Sequence, residues 1–112
     1  MVKKAISLNP ISNSILLRNL GISLHMVGRY QEAIVSLKKS LKDRPNDLFT
    51  HLYLAVTYIS LGRQDEARAE SKEVLRIHPK FSLEHFAKTL PYKDQSLVDN
   101  TIARLRKAGL PE

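Results

Sequence analysis

GRYQEAIVSLKKSLKDRP, residues 28–45, and GRQDEARAESKEVLRIHP, residues 62–79, start 34 residues apart and share residues along their length. The matched pairs are Gly28 with Gly62, Arg29 with Arg63, Glu32 with Glu66, Ala33 with Ala67, Lys38 with Lys72, Leu41 with Leu75 and Pro45 with Pro79. Upstream, the same shift pairs Leu20 with Leu54 and sets Ala55 opposite Gly21. A fixed period of this length marks stacked units, each burying its apolar face on the next. Each unit reads as an apolar helix ending near a glycine, then an amphipathic helix ending at a proline. The expected helices are 14–27 and 30–42, then 48–61 and 64–77.

The flanks carry fragments of the same unit. KKAISLNP, residues 3–10, lines up with KKSLKDRP, residues 38–45, so the chain is expected to open inside the second helix of an earlier repeat, as a piece of a longer protein. FSLEHFAKTL, residues 81–90, begins a third unit that breaks at Pro91. Residues 94–108 then place Leu97, Val98, Ile102 and Leu105 on one helical stripe before Gly109 and Pro111. A capping helix fits there, because the last repeat of a solenoid otherwise exposes its apolar face. The expected division is one domain: a half repeat at 1–10, repeats at 14–47 and 48–81, and a partial repeat with its cap at 82–112.

This pattern resembles the tetratricopeptide repeat, a helix-turn-helix unit of 34 residues with small residues at set places. The first unit supplies Leu17, Leu20, Gly21, Leu24, Ala33, Leu37 and Pro45, with Leu17 where the family has Trp. The second supplies Leu54, Ala55, Tyr58, Ala67 and Pro79, with His51 at the Trp place and Ser71 at the Phe place. The resemblance implies an all-α solenoid and a non-catalytic protein-interaction module. The small residues Gly21 and Ala33, and Ala55 and Ala67, let paired helices approach closely, so larger residues there should overpack. A narrower resemblance lies in LPYKDQSLVDNTIARLRKAGLPE, residues 90–112, which is similar to the end of the repeat region in bacterial multidomain proteins of the class III adenylate/guanylate cyclase type. That resemblance implies a regulatory or scaffolding role beside a catalytic part.

Residues 48–61 contain no Asp, Glu, Lys or Arg in a chain that is 26% charged. The run falls short of the about 20 apolar residues that a membrane span needs. At 100° per residue, His51, Leu54, Ala55, Tyr58 and Leu61 share one stripe, and Phe49, Leu52, Val56 and Ile59 form a second. Thr50, Tyr53, Thr57 and Ser60 make a polar seam between them. One stripe suffices to hold the repeat together. The second has equivalents in Ile15, Arg18, Ile22 and His25 of the first unit and in Leu83, Phe86 and Leu90 of the third. By resemblance to the family this face lines a concave groove, so the expected partner-binding residues are Ile15, Arg18, Ile22, His25, Phe49, Leu52, Val56, Ile59, Leu83 and Phe86. An apolar peptide or helix, the chain's own flanking segment or a second copy would suit that surface. Changing Leu52 or Ile59 to Asp should then impair binding more than folding, and changing Leu54 should do the reverse.

Eighteen Lys and Arg against eleven Asp and Glu give a net charge of +7, which makes nucleic acid or another acidic surface the alternative partner. The basic residues are expected on the solvated convex side. No aromatic residues interleave with them to stack on bases, which disfavours nucleic acid. Family members that clamp acidic carboxy-terminal tails converge Lys, Arg and Asn on successive groove helices; here Arg18 and Asn19 are followed by Leu52 and Val56, so no such clamp is expected. His25, His51, His78 and His85 lack metal-site spacing, and there is no cysteine. No catalytic constellation, cofactor or metal site is expected. Residues 1–10 lack the apolar run of a secretion signal, and the expected location is cytoplasmic. Self-association is expected through Ala5, Ile6 and Leu8, which the opening half repeat leaves uncovered.

Overall fold

The computed structural model describes residues 10–112, with side chains from residue 12 onward. Apart from Pro10, the half repeat expected at 1–10, including Ala5, Ile6 and Leu8, lies outside the described residues. The described chain is all-α: α1 Pro10–Met26, α2 Tyr30–Asp43, α3 Leu48–Ser60, α4 Gln64–Ile77, α5 Leu83–Ala87 and α6 Gln95–Lys107. Helix α1 pairs with α2, and α3 with α4; α3 also meets α2 and α6, which makes it the centre of the stack.

The 34-residue period reappears as geometry. Gly28 and Gly62 both take positive φ, at 85° and 74°. The following N–H reaches five residues back each time, from Arg29 to the Leu24 carbonyl at 2.9 Å and from Arg63 to the Tyr58 carbonyl at 2.8 Å. This closes the first helix of each pair with a turn that glycine adopts without a Cβ clash. The second helix then opens on the repeated ion pairs Arg29–Glu32 and Arg63–Glu66.

Two helix boundaries depart from expectation. Helix α1 starts at Pro10, four positions before residue 14, because a proline in the first turn forfeits no helical hydrogen bond. The helix expected at 81–90 shrinks to Leu83–Ala87. Beyond it the N–H groups of Lys88, Thr89 and Leu90 bond only three residues back, to His85, Phe86 and Ala87. Pro91 keeps Leu90 out of the α region and ends the segment.

Helices α1 and α2 close on small residues. Ser14 Oγ donates to the Ser40 carbonyl at 2.7 Å, Ser40 Oγ to the Ser14 carbonyl at 2.8 Å, and Ser36 Oγ to the Leu17 carbonyl at 2.7 Å. A Cβ on Gly21 would lie 2.6 Å from Leu37 Cγ, inside a fully buried contact. Gly21→Ala should therefore lower stability despite gaining about 1 kcal/mol of helix propensity, since overpacking a core costs about 1–3 kcal/mol. Urea denaturation checks this: the midpoint should fall, and trimming Leu37 to Val in the same chain should recover part of the loss.

The same contact in the second pair carries different chemistry. Positions 34 beyond Leu17 and Ser36 hold His51 and Glu70, and His51 Nδ1 lies 2.7 Å from Glu70 Oε1 while Nε2 lies 2.8 Å from the Pro45 carbonyl. Both partners accept only, so the ring must donate from both nitrogens and is an imidazolium. Burial alone would lower its pKa. The hydrogen bonds to Glu70 and Pro45, with the charges of Glu70 and Glu73, outweigh burial and raise it above 6.5.

Helix α3 is buried on nearly every side, from Thr50 to Tyr58, which explains its lack of charge. The seam read as polar is internal. Thr50 Oγ1 donates to Asp47 at 2.6 Å, Thr57 Oγ1 donates to the Tyr53 carbonyl at 2.6 Å, and the Tyr53 hydroxyl bonds that of Tyr92. Helix α6 covers the remaining side with Val98, Ile102 and Leu105. Its exit strap buries Leu110 and returns to α5, where the Leu83 N–H donates to the Pro111 carbonyl at 2.9 Å.

Candidate partner-binding groove

The residues expected to line a groove fall into three environments. Leu52 and Val56 are covered: together with Tyr53, Phe86, Thr101 and Leu105 they close on a gap too small for water. Leu83 is fully buried, and Ile59 is half-buried against the core. Leu52 and Val56 are core beneath the C-terminal cap, so Leu52→Asp is expected to act on folding, contrary to the expectation from helical periodicity alone. The flanking segment of the chain itself occupies this part of the face.

His25 is buried between the rings of Tyr30 and Tyr53, with centroids at 5.4 and 6.1 Å. Its Nδ1 lies 3.0 Å from Thr57 Oγ1. The Thr57 proton already goes to the Tyr53 carbonyl, so the ring donates here from Nδ1. Burial, then the nearby Arg104 charge, lowers the His25 pKa to about 4. Ile15 is half-buried on α1.

Arg18, Ile22 and Phe49 remain together at an open surface, with the buried Phe86 ring packed beside Phe49. Arg18 donates to Asp47 at the head of α3, at 3.1 and 3.4 Å, and its guanidinium lies 6.0 Å from the centre of the Phe49 ring. Phe49 itself is 47% exposed, although it stands in a helix whose next nine residues are buried. It forms the wall between two cavities. One, of about 450 Å³, is bounded by Leu48, Phe81, Ser82 and Phe86, with His78, Lys80 and His85 at its edge and Thr89 at the shared wall. The other, of about 230 Å³, is bounded by Arg18, Asn19, Ile22, Tyr53, Leu90 and Pro91. The Phe81 and Phe86 rings meet at a tilt with centroids 5.7 Å apart and Phe86 lies 6.4 Å from Phe49, giving the larger cavity an aromatic wall.

Helical periodicity placed Leu90 on this face but missed Phe81, Thr89 and Pro91, because they lie in connections that obey no period. The cluster KFSLEHF, residues 80–86, carries the one available signal: two aromatics and a cation within seven residues. Among the described residues no group of His, Cys, Asp or Glu is arranged to hold a metal ion, and no helix is long and apolar enough to cross a membrane.

Helix pairs stacked at a 34-residue period define a helical-repeat fold. The chain belongs to the tetratricopeptide repeat family, whose model matches residues 24–88, more than half its length. The fold is also that of MamA in its crystal structure, with a TM-score of 0.63 and 24% identity over 95% of this chain and 61% of that one. A curated relative, "Putative adenylate cyclase 3" of Rhizobium meliloti (strain 1021), is 43% identical over 44 residues, which are 39% of this chain and 8% of the relative. The chain thus spans a small part of that protein's length.

Proposed function

We propose that this chain is a non-catalytic protein-interaction module that binds an apolar peptide or helix in the groove around Phe49, as a regulatory part of a larger signalling protein of the nucleotide cyclase type, located in the cytoplasm. The observation that carries this reading is Phe49: an aromatic side chain held half exposed between two cavities, beside a cap that covers Leu52 and Val56. Contiguous exposed apolar surface of this kind is a mark of interaction sites. The sequence likeness to a cyclase supports the wider setting. Incorporating a photo-crosslinking phenylalanine at position 49 in cells should yield discrete protein adducts, identified by mass spectrometry. The same group at Arg68, exposed on α4, should yield none. Equal yields from the two positions, or no adduct at 49, would rule the groove out.

Self-association is a second reading, and the described residues offer it a surface apart from Ala5, Ile6 and Leu8. Leu20 is 51% exposed on α1, while its repeat equivalent Leu54 is wholly buried on α3, a helix that packs against α2. A second copy placed there would do for α1 what α2 does for α3. Sedimentation equilibrium should then show a concentration-dependent mass that Leu20→Glu reduces to the monomer; a monomeric wild type at high concentration excludes it. The alternative of nucleic acid or another acidic partner rests on the +7 charge and predicts binding that weakens steeply with salt.

A further inference from the structure

The two cavities beside Phe49 share a chemical bias that the apolar description omits. Their linings contain Arg18, Lys80, His78 and His85, and neither contains an Asp or Glu. The charges are also placed asymmetrically. Arg18 is held by Asp47, and its Nε is buried with no hydrogen-bond partner. Lys80 is exposed at the edge of the larger cavity, and among the described residues it makes no ion pair. Arg76, four residues earlier, is by contrast engaged by Glu73 on α4, while the other lysines of the described residues, like Lys80, make no ion pair. A cation left free at the mouth of an aromatic-walled cavity complements a ligand that is apolar in depth and anionic at the rim.

We infer that the groove's partner is an acidic peptide segment that seats one aromatic or large aliphatic side chain in the cavity between Phe49, Phe81 and Phe86, and sets a carboxylate against Lys80. This rests on the proposed groove and adds the chemistry of its occupant. The smaller cavity, on the far side of Phe49, takes a second, aliphatic side chain of the same segment, so that the peptide straddles the ring. Its volume of about 230 Å³, half that of its neighbour, suits such a residue. The arrangement differs from a carboxylate clamp. Affinity comes from the sealed apolar contacts, and the charge at the rim selects among apolar peptides, since a rim ion pair in water contributes about 1 kcal/mol or less.

The test is selection of a random twelve-residue peptide library displayed on phage against the whole chain, followed by fluorescence anisotropy of the enriched peptides. Phe49→Ala and Lys80→Glu serve as comparison proteins; both positions are exposed, and thermal melts confirm that both variants fold. The expected result is enrichment of peptides that combine an aromatic or large aliphatic residue with Asp or Glu. Their affinity should fall about tenfold or more on Phe49→Ala, as for a central anchor. On Lys80→Glu it should fall about threefold to tenfold, with a preference for Lys-bearing peptides gained in its place. Enriched peptides of neutral or basic character, sensitive to Phe49 but not to Lys80, would overturn this inference and leave the groove itself standing. Peptides indifferent to Phe49, or no enrichment at all, would overturn both.

Discussion

Leu52→Asp should leave the domain unfolded, and Phe49→Asp should leave it folded but unable to bind its partner. The two residues stand one helical turn apart on the same stripe of α3, so nothing in their spacing distinguishes them. Leu52 is 1% exposed, packed beneath Thr101 and Leu105 of α6. No cation lines the gap to meet a carboxylate there, and burying it costs more than about 4 kcal/mol, most of the stability of an ordinary domain of this size. Phe49 is 47% exposed, so its replacement leaves no buried charge and should cost about 1 kcal/mol. Far-ultraviolet circular dichroism with a urea titration measures the first effect, and the crosslinking and anisotropy measurements the second. A stably folded Leu52→Asp protein would mean that α6 can leave α3, and that the covered half of the face is available to partners.

Stability should peak near pH 6.5 and decline on both sides, because two histidines are held in opposite charge states. His25 has a folded pKa of about 4 against an ordinary 6.5, through burial and then Arg104. The unfolded chain therefore binds the proton more readily, and the stabilisation present above pH 6.5 is lost as pH falls through 6.5 towards 4. A shift of this size corresponds to on the order of 3 kcal/mol. His51 has a raised pKa because its bonds to Glu70 and Pro45 outweigh the opposing effect of burial. Its contribution is complete below 6.5 and is lost as pH rises through the folded value. Urea midpoints between pH 4 and pH 9 should trace both limbs. His25→Gln should flatten the acid limb while leaving the alkaline one. His51→Leu with Glu70→Ser, which installs the Leu17–Ser36 chemistry of the first repeat, should remove the alkaline limb. An unchanged acid limb in the His25 variant would refute the assignment.

Much of this was legible in one dimension. The glycine turns at 28 and 62 and the residues of the ion pairs that follow them repeat at a fixed interval, so identity at a 34-residue shift reveals them, and the small residues at 21 and 55 mark the close approach. Division of α3 into two stripes was also sound geometry. The assignment of one stripe to packing and the other to a groove exceeded what periodicity contains. A helical wheel states which side chains share a direction, and says nothing about which later segment lies in that direction. The polar seam shows the same limit: Thr50 and Thr57 are fully buried, and their hydroxyls are satisfied by Asp47 and the Tyr53 carbonyl rather than by water.

The sequence by itself determined the all-α class, the repeat length, the helix pairs and their turns, since these follow from hydrophobic period, glycine and proline chemistry and the need of each unit for a neighbour. Only the tertiary structure decided which part of the concave face stays open. Helix α6 and its strap return across α3 to cover Leu52, Val56 and Leu83, and stop short of Phe49. That outcome depends on where the break at Pro91 aims the chain after α5, and on the energy of burying Val98, Ile102 and Leu105 together. Both are properties of contacts between segments distant in sequence, which no local pattern encodes.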